Sequence, residues 1–254
     1  MKTACLLLHG FCGTPFEVAP LVPALTARGV HVDTPALPGH AASIEEMKKT
    51  FFPDWLAFTV DRYKLLAQGY ERVVVGGFSM GGVLAALLAA QFPCAGLFTL
   101  AMPMYIYRLC PWEVPDWRIP LMGVLQHIMP YPTFHRATSA SRALAPFEGY
   151  EGVFFMPQLY SVVKGTALMR QSLHAVTCPT FIMHDMRDRL SPPSSALRLA
   201  QAIRAKDVAI EYTSINERVT SHHLITTHCQ TRDHVAQRVG DFVARISGAE
   251  AVPE

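Results

Sequence analysis

Gly77-Phe78-Ser79-Met80-Gly81 sets one serine between two glycines in the pattern G-x-S-x-G. A serine hydroxyl is a weak nucleophile at neutral pH. It becomes a strong one beside a base that a carboxylate holds in place. The flanking residues suit that role. Arg72 to Val75 reads as a short buried strand, because valine packs well on a pleated surface. Val83 to Ala90 is apolar all round and rich in good helix formers, so it reads as a buried helix. Ser79 then stands on a sharp strand-to-helix turn that projects its hydroxyl above a sheet. Side chains at 77 and 81 would collide with the neighbouring strand or helix. The Met80 amide would lie at a helix N-terminus, aimed at a forming anion. The plain alternative is a glycine-rich turn without chemistry, and the strand-turn-helix context argues against it.

The serine needs partners. In this arrangement the chain order is Ser, then Asp or Glu, then His. "FIMHDMRDRLSPP" offers Asp185 and Asp188 after a late strand. "RVTSHHLITTHC" offers His222, His223 and His228 in a loop before the last helix. A metal site built from His222, His223, His228 and Cys229 would match neither an i, i+4 helical pair nor a usual zinc spacing, so no metal is expected.

These residues must be held by a frame, and the pattern supplies one. Ala4 to Leu8 reads as a strand, followed by the glycine-bearing loop His9-Gly10-Phe11-Cys12-Gly13. Thr14 as N-cap, Pro15 at the first helical position and Glu17 completing a capping box predict a helix running to about Arg28. Val30 to Asp33, Gly96 to Ala101, Thr180 to Met183 and Val208 to Tyr212 read as strands. Ser43 to Glu46 opens a short helix, and Asp54 to Ala67 and Ser194 to Lys206 read as further helices. The last helix sets Val235, Val239, Phe242 and Ile246 on one face. Strands alternating with helices imply an α/β fold whose mostly parallel sheet is covered on both faces.

Between Pro103 and Cys178 the texture changes. Prolines recur, and Tyr105, Trp112, Trp117 and Phe155 mix with Met104, Met122 and Met156. The segment is too apolar for a disordered linker. It predicts a helical cap over residues 103–178, inserted in a core of 1–102 and 179–254. Met104, Tyr105, Trp112 and Trp117 are its candidates for lining an acyl pocket.

Length and composition narrow the function classes. At 254 residues, one large domain needs no disulfide or metal to bury a core. Net charge is +2 and charged residues make up only 17%, without a basic run, so a nucleic-acid partner is not expected. The six cysteines form no C-x-x-C pair and read as free thiols. The apolar run after Lys2 stops at His9, too short for a signal peptide, and nothing approaches a membrane span. A cytoplasmic enzyme without cofactor, taking a small-molecule substrate, is the simplest expectation.

Five stretches carry a family resemblance: "LLLHGFCGTP", "PALPGH", "GGFSMGG", "AMPMYI" and "SHHLIT". The chain resembles small bacterial carboxylesterases of the monoacylglycerol-lipase type, in the α/β-hydrolase superfamily. The resemblance covers nearly the whole chain outside the cap. It implies an acid four residues before the Pro-x-Ser-Ala that opens the next helix; Pro192 or Pro193 fills the proline place here, which puts the acid on Asp188. It implies the base at His223, with His222 where glycine is usual. It implies oxyanion donors in the amides of Phe11 and Met80. Such enzymes carry a further strand before the one at Ala4, so one sheet edge is expected to be missing or remodelled. The activity implied is cleavage of short-to-medium acyl esters, including monoacylglycerols. Thioester, amide and carbon–carbon hydrolysis share the same constellation. A non-catalytic ligand receptor is opposed by the intact set of Ser79, Asp188 and His223.

Overall fold

The computed structural model describes residues 2–106, 119–133 and 137–248. Trp112 and Trp117, two of the pocket candidates, lie outside the described residues. The chain opens with β1 (Thr3–Leu8), α1 (Val22–Thr26) and β2 (His31–Asp33). It continues with α2 (Ile44–Lys49), α3 (Phe52–Gly69), β3 (Arg72–Phe78), α4 (Met80–Gln91) and β4 (Gly96–Leu100). Then come α5 (Ile119–Ile128), α6 (Ser139–Leu144) and α7 (Met156–Ser172). The last part holds β5 (Thr180–Asp185), α8 (Ser194–Ala202), β6 (Val208–Thr213) and α9 (Arg232–Ser247).

Among the described residues the strands form one sheet of six, ordered β2-β1-β3-β4-β5-β6. Every pairing is parallel. β1 lies inside the sheet and the short β2 forms the edge beside it. Each central strand divides its side chains between two cores, as the two-residue period of a strand requires. Ala4, Leu6 and Leu8 join one core with Trp55, Leu84, Val162 and Leu199. Cys5 and Leu7 join the other with Leu25, Phe98, Val235 and Phe242. Helices therefore cover both faces. α4 is buried from Met80 to Ala89, as an apolar helix without a polar stripe must be.

The order reverses between β1 and β3. The chain leaves β1 toward the β2 edge and returns on the other side as β3. Loops at the carboxyl ends of such a pair diverge and leave a crevice, where ligands of open α/β sheets bind. Ser79 follows β3 and the His9-Gly10-Phe11 loop follows β1.

One expectation changes. The helix expected from Pro15 to Arg28 is broken into 3₁₀ turns at Pro15–Glu17 and Ala19–Leu21, followed by the short α1. Pro20 and Pro23 explain this, since each lacks the amide donor and crowds the preceding turn. Thr14 does cap, accepting from the Phe16 amide at 3.3 Å. Glu17 does not return to it. Its carboxylate accepts instead from the Gly10 amide, at 2.7 Å. Within 103–178 the long helix α7 packs against the core. Val162 and Met169 pack there with Trp55 and Leu84. No described helix is long and apolar enough to cross a membrane.

Candidate active site

Ser79 holds φ 52° and ψ −120°, a conformation that side chains disfavour. Its neighbours make the turn possible. A Cβ on Gly77 would stand 2.3 Å from the Gly81 carbonyl carbon, and one on Gly81 would stand 2.2 Å from the Leu8 oxygen. Helix α4 thus approaches β3 and β1 as closely as glycine allows. The Ser79 amide donates to the Leu100 carbonyl at 2.8 Å, which ties the turn to the end of β4.

His223 Nε2 lies 2.9 Å from Ser79 Oγ, and its Nδ1 lies 2.7 Å from Asp188 Oδ2. A carboxylate only accepts, so Nδ1 carries the ring proton and Nε2 is left to accept from the serine hydroxyl. The other Asp188 oxygen accepts from the amides of Leu190 (2.8 Å) and Ser191 (3.0 Å). Burial alone would raise the Asp188 carboxyl. The charge of His223, with hydrogen bonds from His184 and His223, outweighs burial and holds it at about 2. For His223 burial works against the charged form, and the Asp188 carboxylate wins, so its basicity is raised.

His184 contributes to this site and did not stand out in the sequence. It is the last residue but one of β5 and is buried. Its Nε2 donates to the Ser191 carbonyl at 3.0 Å and lies 3.2 Å from Asp188 Oδ2. The available signal was its position, four residues before Asp188 on the same strand-to-loop stretch.

Asp185 and His222 turn away from Ser79. Asp185 accepts from the Arg187 amide (2.9 Å), the Thr213 hydroxyl (2.9 Å) and the Ile215 amide (2.8 Å), clamping the ends of β5 and β6 together. His222 Nε2 donates to the Glu217 carbonyl at 2.9 Å. His222 stands at φ 60°, in the left-handed region where glycine is favoured. His228 Nδ1 accepts from the Gln230 amide at 3.1 Å, so it too serves its own loop. Among the described residues, no group of three or more His, Cys, Asp or Glu side chains is placed to hold a metal ion.

Residues 1–215 match the family model Hydrolase_4, described as serine aminopeptidase, S33. The chain belongs to this family of α/β-hydrolases. Relatives are similar along nearly the whole length. A carboxylesterase of Bacillus subtilis (strain 168) is 27% identical over 244 residues, covering 96% of this chain and 93% of the relative. A thermostable monoacylglycerol lipase of Bacillus sp. (strain H-257) is 26% identical over 247 residues, covering 96% and 91%. Among solved structures, one reported for the metagenome-derived lipolytic enzymes LipS and LipT superposes with a TM-score of 0.80. It is 21% identical and covers 97% of this chain and 94% of its own. The monoacylglycerol lipase of Paleococcus ferrophilus gives a TM-score of 0.70 at 16% identity, covering 96% and 94%. These two share the fold.

In this hydrolase the candidate oxyanion amides stand on the two segments that flank the strand-order reversal. Met80 begins α4, where first-turn amides have no carbonyl partner within the helix. Phe11 is set by the peptide before it. The Gly10 carbonyl accepts from His9 Nδ1 at 2.9 Å and from the Gly13 amide at 3.3 Å. His9 Nε2 accepts from the Leu37 amide at 3.1 Å, which leaves the proton on Nδ1. Burial lowers the His9 pKa to about 4, so the ring stays neutral in this role. A trans peptide points its N–H opposite its carbonyl, so holding the Gly10 oxygen aims the Phe11 N–H. Met104 is buried in the core, with its amide on Ser195 Oγ and its carbonyl on Arg170. Tyr105 is half-buried under the Arg170 guanidinium, 4.3 Å from the ring centre.

Proposed function

We propose that this hydrolase cleaves carboxylic esters through an acyl-enzyme on Ser79. The observation that carries the reading is the unbroken line from Asp188 through His223 to Ser79, at 2.7 and 2.9 Å. As Ser79 Oγ attacks the ester carbonyl carbon, its proton passes to His223 Nε2. Asp188 holds the imidazole with its proton on Nδ1 and stabilises the imidazolium. The Phe11 and Met80 amides receive the carbonyl oxygen as it becomes negative. The tetrahedral centre then collapses, the C–O bond to the alcohol breaks, and His223 returns the proton to the departing oxygen. Water repeats the sequence on the acyl-enzyme, releasing the acid and restoring Ser79. No cofactor takes part in these steps.

The substrates proposed are short-to-medium acyl esters and monoacylglycerols. The names of the two Bacillus relatives support this class. So does the apolar character of the segment between 103 and 178, which we take as the cap of the core. Each methylene buried there adds roughly 0.8 kcal/mol, so kcat/KM should climb over the first several carbons and then level. The decisive test is labelling and turnover together. A phosphonate should add its mass to the peptide containing Ser79, and Ser79→Ala should lose on the order of 10⁴–10⁶ in turnover of p-nitrophenyl esters. A variant that keeps more than about a tenth of wild-type activity would overturn the reading.

A further inference from the structure

Glu17 is a buried carboxyl group that the proposed mechanism does not use. It was expected to serve a helix start and instead lies beneath the loop after β1. Its side chain is 2% exposed. Oε2 accepts from the Gly10 amide at 2.7 Å. The fit is close on the other side too, since a Cβ on Gly13 would stand 2.1 Å from the same oxygen. The carboxyl group therefore fills the inside of the His9–Gly13 bend.

Both backbone groups of Gly10 are thereby fixed. Its oxygen is held by His9 Nδ1 and the Gly13 amide, and its N–H is held by Glu17. A peptide plane held at the preceding amide and at its own carbonyl has little freedom to rotate. The N–H at its far end belongs to Phe11.

We propose that Glu17 is a positioning residue of the reaction, fastening the Gly10 amide so that the Phe11 N–H stays aimed at the developing oxyanion. This rests on the ester-hydrolase reading above. A second consequence follows from its burial. The titratable groups that face Glu17 are His223, from the loop before α9, and Cys12 on its own loop. Burial pushes the Cys12 thiol far up, so it stays neutral. Burial pushes Glu17 up to about 8, against the pull of the Gly10 hydrogen bond and of His223. Glu17 in turn favours the protonated form of His223. At about 8 the Glu17 carboxyl is mostly neutral in neutral solution, so it serves Gly10 as an acceptor rather than His223 as a counter-charge.

Two variants test this. Glu17→Ala removes the fastening and should lower kcat by roughly ten- to a hundredfold with KM nearly constant, as loss of one oxyanion donor does. Glu17→Gln offers Gly10 the same acceptor without the charge. It should recover most of that loss at the pH plateau. With Glu17 itself mostly neutral below about pH 8, the acid limb of Glu17→Gln should stay close to that of wild type. A Glu17→Ala enzyme within about threefold of wild-type kcat overturns the proposal. So does a folded Glu17→Gln enzyme whose kcat falls as far as loss of an oxyanion donor would take it, since it keeps the acceptor for Gly10, and this arm decides alone where the alanine variant does not fold. Phosphonate labelling of wild-type Ser79 separates the two readings. Without wild-type labelling and turnover the ester-hydrolase reading fails. With both intact and the variants indifferent, only the role of Glu17 fails.

Discussion

Asp185 and Asp188 leave the end of the same strand, and His222 and His223 are chain neighbours, yet the two pairs face different tasks. Asp188 and His223 line up on Ser79. Asp185 spends its oxygens on Arg187, Thr213 and Ile215, and His222 bonds back to Glu217. Residue type does not distinguish the pairs, and neither does burial, since all four side chains are largely buried. The backbone does. At φ 60° His222 bends the loop so that consecutive side chains leave in different directions. The amides of Leu190 and Ser191 then turn Asp188 toward the ring that reaches Ser79. The proposed acid–base pair is made by orientation, while beside it Asp185 ties two strand ends together and His222 bonds within its own loop.

The largest effect expected from breaking this comparison is at the histidines. His223→Ala should fall nearly as far as Ser79→Ala, on the order of 10⁴ or more in kcat, because the members of such a relay act as a unit. His222→Ala should stay within about tenfold of wild type and lose mainly stability, since it empties a buried site. Turnover of a p-nitrophenyl ester alongside a thermal melt separates the two. The reverse order of activities would assign the base to His222.

The carboxylates come next. Asp188→Asn should cost roughly 10²–10⁴ in kcat, because an amide lets the imidazole adopt the wrong tautomer. Asp185→Asn should keep most of its activity. It replaces an acceptor of three hydrogen bonds with a group that cannot reproduce them, so a loss of about 1–3 kcal/mol in stability is expected. Urea unfolding and steady-state kinetics on both variants are the measurements. Equal and mild activity losses would remove the acid role from Asp188.

The same contrast explains what could be read from the chain. Ser79 announces itself because a chemical group and a backbone constraint coincide in five residues, and the parallel sheet follows from alternating apolar patterns. Asp188 and His223 are a harder case. Local sequence offers each a decoy, and the choice was made by resemblance rather than by spacing. Glu17 was misread because Thr14-Pro15-x-Glu17 is a genuine helix-start pattern. The prolines at 20 and 23 break the helix, and the carboxylate turns to Gly10, a partner seven residues back. His184 offers only its place four residues before Asp188, and a histidine near a strand end looks like any buried polar residue. In each miss a polar side chain found its partner through the tertiary fold, and periodicity reports burial but not partners.

The smallest effect concerns pH, and its sign separates activity from stability at one site. In the proposed reaction His223 must be neutral to accept the Ser79 proton, and its pKa is raised above the ordinary 6.5 against the cost of burial, chiefly by Asp188. The acid limb of kcat/KM should therefore lie above pH 6.5, and activity should grow as pH rises through it. Stability runs the other way. A histidine whose folded pKa exceeds its unfolded one contributes stability that is complete below the unfolded value and is lost as pH rises through the folded one. The Asp188 carboxyl, held at about 2 from an ordinary 3.8, contributes stability that is complete above 3.8 and fades as pH falls through about 2. The charged pair is thus most stabilising between about pH 4 and 6.5, where the enzyme is least active. Wild type should exceed His223→Ala in melting temperature by a larger margin at pH 5 than at pH 9, with the margins differing by a few °C. A margin for His223→Ala that is constant across this range would show that the pair carries no linked proton. Asp188 would then serve only to orient the ring.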